Sequence, residues 1–135
     1  MGKWLFILFF SVLSFQQVDA QSLSSVLEMA KKAYAAEESE AYLEHMVKAN
    51  ALRPNEAITV YDLARAFALN NRKARAIQTL NQLLLIDATI AFDQDPDFSS
   101  LKRKSAYNKL LVLQKELTRY TWLTSAGPKP SFGKQ

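Results

Sequence analysis

Three aspartates alternate along one short segment, and their spacing is the most suggestive of chemistry in the chain. Asp93, Asp95 and Asp97 are spaced like the first ligands of a calcium-binding loop. Pro96, however, stands where such a loop needs a glycine turn, and no glutamate follows at the distance of the bidentate ligand. Capping is therefore the favoured interpretation, with Asp95 as the N-cap and Pro96 as the first residue of a short helix.

Other residues offer little for catalysis. His45 is the only histidine, and it is expected mid-helix on a polar side, without the serine and orienting acid that nucleophilic catalysis requires. The chain has no cysteine, which excludes a disulfide, a thiolate metal site and a lipid-modified N-terminus. Beyond Gly2, glycine occurs only at Gly127 and Gly133, so no phosphate-binding loop can form. We expect no enzyme activity, no cofactor and no metal.

Basic residues are concentrated near the C-terminus. Residues 98–135 carry eight lysines and arginines against Glu116 alone, although the net charge of the chain is only +4. The run Lys102–Lys104 is predicted to be a solvated turn. Nucleic acid is not an expected partner, because an exported protein rarely meets it and few aromatic residues are interleaved. Binding to an anionic membrane or polysaccharide surface stays open as an alternative.

The elements that position these residues are predicted to be helices. Pro54 and Pro96 bound the stretches 21–53 and 55–95, which lack glycine and proline and are rich in good helix formers. Apolar residues recur in them at helical spacing and predict one buried stripe on each helix. The first two stripes are Val26, Met29, Ala30 and Ala33, and then Tyr42, Leu43, Met46, Val47 and Ala49. We predict helices at 23–36, 39–52, 56–69 and 72–86, a short helix from Pro96 to the basic run, and a longer one from Ser105 to about Tyr120. The fold class is all-α.

Polar residues between the helices predict where they start and stop. Ser25 and Glu28 have the spacing of a capping box. Asn55 is expected to cap a helix beginning at Glu56. Asn71 is placed where the chain must reverse, and asparagine tolerates the left-handed conformation that such a turn needs.

The N-terminus has the layout of a secretory signal peptide. Lys3 precedes an apolar run from Trp4 to Phe15, which is too short to span a bilayer as a helix. Val18 and Ala20 supply the small residues of a cleavage site. We therefore divide the chain into a signal peptide at 1–20, a helical domain at 21–121 and a flexible tail or truncated linker at 122–135. The mature protein is expected to be periplasmic or secreted, with no stable membrane insertion.

The helices repeat with a period near 34 residues. The clearest unit has Val60, Leu63 with Ala64, and Phe67 on its first helix, and the three residues Ala76, Leu80 and Leu83 on its second. This pattern resembles a tetratricopeptide repeat. The preceding unit, 23–54, fits less well, because Tyr42 stands where a small residue is usual at the helix crossing. The resemblance implies antiparallel helical hairpins stacked as a short solenoid.

The segment from Asp95 onward is similar to the terminal helix pair that closes such arrays in exported bacterial proteins, some of which continue into a gluconolactonase-like β-propeller. It implies a C-terminal capping helix pair here. This chain stops before a propeller could begin.

Such arrays bind peptides on the surface lined by the first helix of each hairpin. The residues that this geometry assigns to a partner-binding groove are Leu27, Lys31, Tyr34, Ile58, Tyr61, Arg65 and Leu69. An aromatic and basic groove suits a peptide that carries carboxylates. Tyr61 and Arg65 lie one turn apart, so a carboxylate held by Arg65 would leave its neighbouring side chain over the Tyr61 ring.

We therefore expect a non-catalytic protein-interaction module with a protein or peptide partner. An alternative from another class is an N-terminal accessory domain of a larger exported enzyme, present here as a truncated or split product. The partner, the process and the oligomeric state are left open by the sequence.

Overall fold

The computed structural model describes the backbone of residues 18–126 and the side chains of residues 23–120. All regular structure in this part of the chain is helical, which confirms the all-α prediction. The elements are α1 (Val18–Ala35), α2 (Ser39–Leu52), α3 (Ala57–Leu69), α4 (Lys73–Ile86), the 3-10 helix η1 (Pro96–Leu101) and α5 (Ser105–Ala126). Among the described residues, no helix is both long enough and apolar enough to cross a bilayer. Most of the predicted signal peptide and of the tail lies outside the described residues.

Helix positions follow the local sequence closely. The predicted bounds of α2 are those observed, and α3 and α4 each begin one residue later than predicted. The capping box at Ser25 is wrong, because the chain is already helical at Val18 and Ser25 lies inside α1. The longer predicted helix begins at Ser105 as expected but continues past Tyr120 to Ala126.

Two of the helix–helix turns close with the same hydrogen-bond pattern. At the end of α1 the Glu38 amide donates to the Ala33 carbonyl and the Glu37 amide to Tyr34, and the Asn71 turn repeats this pattern after α3. This is the Schellman motif, which requires a left-handed residue after the helix. Glu37 and Asn71 supply it with φ values of 59° and 56°, so the prediction for Asn71 is confirmed.

Asn55 differs from its prediction. It is left-handed, with φ 63°, and Glu56 occupies the N-cap position of α3. Its side-chain oxygen instead accepts a hydrogen bond from the side-chain Nε2 of Gln82 at 3.0 Å.

Consecutive helices pack side by side, α1 with α2, α2 with α3 and α3 with α4, and their short connections make neighbours antiparallel. Alanines let the helices approach closely, since Ala49, Ala64 and Ala76 have no exposed surface. Tyr42 is buried, so the first hairpin accepts a large residue where the repeat pattern expects a small one. The predicted core stripes are mostly buried, but Met29 and Val47 are exposed.

The segment after α4 forms the far end of the same core. η1 lies against α3 and α4, and α5 packs against α4. Phe92, Phe98, Leu101 and Tyr107 are fully buried, with the Phe92 ring 6.3 Å from Phe98 and 5.9 Å from Tyr107. The buried cluster explains why η1 is fixed on α3.

Candidate functional site

Arg65 is the centre of a charged cluster on α3. Its side chain is 22% exposed, and its guanidinium lies 2.9 Å from a carboxylate oxygen of Asp62, 2.9 Å from Asp95 and 3.3 Å from Asp97. The guanidinium carbon also lies 4.9 Å from the centre of the Tyr61 ring. A guanidinium matches carboxylates and aromatic faces together, which an ammonium group does less well.

Two tyrosine hydroxyls hold the same carboxylates. Tyr61 donates a hydrogen bond to Asp95, and Tyr34 donates one to Asp97 at 2.8 Å. The guanidinium carbon of Arg65 lies 5.4 Å from the centre of the Tyr34 ring. We call these six residues the Arg65 cluster, namely Tyr34, Tyr61, Asp62, Arg65, Asp95 and Asp97.

Local sequence rules place each member. Tyr61 and Asp62 precede Arg65 by four and three residues, so all three lie on one face of α3. Asp95 is the N-cap of η1, and its carboxylate accepts the Asp97 amide at 3.0 Å. The prediction of Asp95 and Pro96 as a helix start is confirmed, although the helix is 3-10 rather than α.

The pKa values of the Asp95 and Asp62 carboxyls are shifted in opposite directions. Burial raises the pKa of Asp95, but hydrogen bonds from Tyr61, the Asp97 amide and Arg65 outweigh burial and leave this pKa below its ordinary value. Burial also raises the pKa of Asp62, and here the nearby Arg65 charge is not enough to reverse it. Burial, followed by the hydrogen bond to Asp95, raises the pKa of Tyr61 to about 12. Arg65 keeps its charge, because its carboxylate partners hold its pKa above the ordinary value despite desolvation.

The contact that the sequence predicts between a ligand carboxylate and Arg65 and Tyr61 is made within the chain itself. Arg65 and Tyr61 meet at one carboxylate, as the sequence predicts for a ligand, but that carboxylate belongs to Asp95. The Tyr61 ring also packs edge-on against Phe98, with centres 5.7 Å apart. The role of these two residues as anchors for an external partner stays a prediction.

A cleft of about 370 Å³ lies beside the cluster, between α1 and α3, and we call it the Leu27 cleft. The predicted groove residues that line it are Leu27, Lys31, Tyr34, Ile58 and Arg65. Tyr42 and Met46 of α2 contribute buried walls, and Glu56, Thr59 and Asp62 lie along its edge on the α3 side. Five of the seven predicted groove residues are thus brought together.

A second cleft of about 540 Å³ opens at the other side of Tyr34, and we call it the Glu37 cleft. Leu69, another predicted groove residue, lines it together with Tyr34, Tyr42, Glu37 and Asp97. Tyr34 and Tyr42 line both clefts, so the two are neighbours on one surface. Tyr61 lines neither and lies beneath η1.

The charge of this surface differs from the sequence prediction. The cations that line the two clefts are Lys31 and Arg65, and the carboxylates are Glu37, Glu56, Asp62 and Asp97. Asp95 contacts Arg65 but lines neither cleft, and Glu56 is paired with Arg53 at 3.6 Å. The prediction of a basic groove is wrong, because η1 brings two aspartates onto a helix face 30 residues earlier in the chain. Asp95, Asp97, Glu37 and Tyr42 are the site residues that sequence reasoning missed. One signal was available, since a purely basic block at 65–75 precedes a purely acidic block at 87–97.

The remaining candidates lie apart from these clefts. His45 is half-buried on α2, and its Nδ1 atom has no hydrogen-bond partner among the described residues. Lys102, Arg103 and Lys104 are exposed at the turn after η1. Over residues 23–120, no group of three or more histidines or carboxylates is arranged to hold a metal ion. Asp95 and Asp97 are instead held by Arg65.

The fold and the two clefts describe an all-α protein with an open, aromatic and predominantly acidic recess between its first and third helices. Comparison with family models, with curated proteins and with solved structures finds no match to this chain.

Proposed function

We propose that the chain is a non-catalytic interaction module, exported to the periplasm or the exterior, that binds a peptide segment of a partner in the Leu27 cleft. The proposal rests on the exposure of apolar side chains along this cleft. Ile58 is 61% exposed and Leu27 37% exposed, and both line the same cleft between α1 and α3. Side chains of this type gain most from being covered, about 1.5–3 kcal/mol for complete burial of one leucine or isoleucine.

The order and packing of the helices support the proposal, and we propose that they form a short tetratricopeptide-like stack. Two helical hairpins pack in sequence order, and alanines occupy their contacts. Schellman turns close two of the connections. In such arrays the first helix of each hairpin lines the binding surface, and α1 and α3 are those helices here.

The test is selection of binding peptides from a displayed library of short random sequences, with the full chain as bait. Peptides that occupy the Leu27 cleft should bind at least about 30-fold more weakly to Ile58→Asp, the ~2 kcal/mol typical of a central interface residue. Ile58 is largely exposed, so the variant should unfold at the same urea concentration as the parent.

Leu85→Asp is the matched control, since Leu85 is also exposed but lies on α4, away from both clefts. Selected peptides should bind this variant like the parent. Failure of the library to yield any peptide sensitive to Ile58→Asp would overturn the proposal.

A second candidate, an accessory domain of a larger exported enzyme, is favoured by a different surface. Val112 and Leu113 are adjacent and exposed on α5, where a further domain could pack. The reading frame downstream of the gene tests this candidate, because it requires a catalytic domain in the same polypeptide.

A further inference from the structure

We infer that the partner segment is basic, with a lysine or arginine placed in the Glu37 cleft and an aliphatic side chain in the neighbouring Leu27 cleft. The inference rests on the proposed function and adds the chemical class of the partner. The charge of this partner is opposite to that of the carboxylate-bearing peptide that the sequence alone predicts.

The position that would hold a ligand carboxylate is already filled. The terminal nitrogens and Nε of Arg65 contact Asp62, Asp95 and Asp97. A ligand carboxylate could displace Asp95 only by breaking three further interactions at once, namely the N-cap of η1, the Tyr61 hydrogen bond and the packing of the segment that carries buried Phe98. An acidic peptide would also meet the other carboxylates of the recess, and like charges repel.

The charge of the recess complements a cation instead. Four carboxylates line the two clefts, namely Glu37, Glu56, Asp62 and Asp97, against the cations Lys31 and Arg65. Arg53 pairs with Glu56 at 3.6 Å, so the unbalanced negative charge lies at the Glu37 cleft, which no described lysine or arginine lines. Asp62, Asp95 and Asp97 share the single guanidinium of Arg65. Glu37 has no ion-pair partner among the described residues and is exposed. A cationic side chain in the Glu37 cleft would therefore lie beside Glu37, which the described residues do not pair, and Asp97, which shares Arg65 with two other carboxylates.

Glu37 is also held in place. It is the left-handed residue of the turn that ends α1, with φ 59°, and its amide donates to Tyr34 at 3.1 Å. Its position beside the cleft is therefore defined by backbone hydrogen bonds rather than by an irregular loop. Tyr34, which is 42% exposed and lines both clefts, adds an aromatic ring, and such rings attract cations.

One peptide can reach both clefts because Tyr34 and Tyr42 form their common wall. The apolar contacts of the Leu27 cleft then supply most of the affinity, and the carboxylates of the Glu37 cleft select a basic sequence over an acidic one.

The net charge of the whole chain makes the inference sharply testable. At +4, non-specific attraction favours acidic peptides over basic ones. A preference for a basic peptide therefore has to come from the local charge of the recess.

The test uses two fluorescent peptides of equal length, one alternating leucine with lysine and the other leucine with glutamate, titrated against the full chain by anisotropy. The lysine peptide should bind at least ten-fold more tightly than the glutamate peptide. Glu37→Gln should weaken the lysine peptide by about two- to five-fold, as loss of an exposed charge pair does. Glu116→Gln removes the same charge from exposed α5 and should change nothing.

Two results of this titration would overturn the inference while the peptides still bind. One is a glutamate peptide that binds as tightly as the lysine peptide or more tightly. The other is an equal effect of Glu37→Gln and Glu116→Gln. If neither peptide binds while the displayed library yields acidic or neutral peptides sensitive to Ile58→Asp, the basic-partner inference fails and the proposed function stands. If the library also yields none, both fail.

Discussion

Replacing Asp95 by alanine tests the Arg65 cluster most directly. Asp95 is joined to α3 by an ion pair with Arg65 at 2.9 Å and by the Tyr61 hydrogen bond, and its carboxylate also caps η1. Its side chain is only 10% exposed, so water cannot fully replace these partners. Asp95→Ala should therefore destabilise the fold.

The magnitude follows from the three lost interactions. A lost N-cap costs about 1 kcal/mol, and a lost hydrogen bond to a charged group about 1.5–3 kcal/mol. The ion pair contributes less than the 3–5 kcal/mol of a fully buried one, because Arg65 is 22% exposed and keeps Asp62 and Asp97. These effects overlap, and we expect a total of about 2–4 kcal/mol. With a urea dependence of about 1–1.5 kcal/mol per molar, the unfolding midpoint should fall by roughly 2 M.

Urea unfolding followed by circular dichroism measures this change, and two variants make it specific. Asp93→Ala removes an exposed carboxylate from the same segment and should shift the free energy of unfolding by less than about 0.5 kcal/mol. A double-mutant cycle with Arg65→Ala should give a coupling energy of about 1–3 kcal/mol. A coupling below about 0.5 kcal/mol would refute the assignment of Asp95 as the principal partner of Arg65.

The same variant carries a pH signature. The pKa of Asp95 is below its ordinary value of 3.8, so the folded state favours the charged carboxylate. The stability that the charged Asp95 carboxylate contributes is fully present above the pKa of this group in the unfolded state. It is lost as the pH falls through the lower pKa of the folded state. The difference in stability between the parent and Asp95→Ala should therefore be constant at neutral pH and shrink below about pH 4.

Two further substitutions and one mass measurement test the remaining predictions. Burial raises the folded-state pKa of Asp62 above its ordinary value of 3.8, so the free energy of unfolding falls as the pH rises from the unfolded pKa through the folded one. Asp62→Asn should remove this part of the fall, and a variant whose stability changes between about pH 3 and pH 7 as the parent's does would contradict it. Ala76 is fully buried, so Ala76→Leu should overpack the crossing and cost about 1–3 kcal/mol, whereas Ala74→Leu, at an exposed site on α4, should unfold at the parental urea midpoint. Intact-mass analysis of the exported protein should show a chain that begins at Gln21, and a secreted species that retains Met1 would contradict signal cleavage.

The sequence predicted the helices well because their signals are local. Spacing of three and four residues along α3 identifies Val60, Leu63, Ala64 and Phe67, all of which are buried. The same spacing wrongly predicted burial at Met29, which lies at the edge of the apolar stripe on α1 and is exposed. Burial at such an edge depends on how far the next helix extends over it. The prediction from sequence also failed at Ser25, where a good capping residue lies inside a helix that had already begun.

The candidate site divides in the same way. Five of the seven predicted groove residues line one cleft, since positions on one helix face are determined by spacing. The partner of Arg65 could not be identified in this way. Nothing in the periodicity of 57–69 indicates that a carboxylate from residue 95 lies beside it, because contacts between distant segments depend on the path of the chain.

The sequence by itself therefore determined the all-α class, the bounds of α2, α3 and α4 to within one residue, the left-handed turn at Asn71 and the N-cap at Asp95, because each depends on residues within one or two turns. Only the tertiary structure decided the charge of the recess. Burial of Phe98 and Leu101 fixes η1 against α3, and this packing carries Asp95 and Asp97 to Arg65. Within α3 itself Arg65 contacts one carboxylate, Asp62, and the return of the chain onto this helix adds two more.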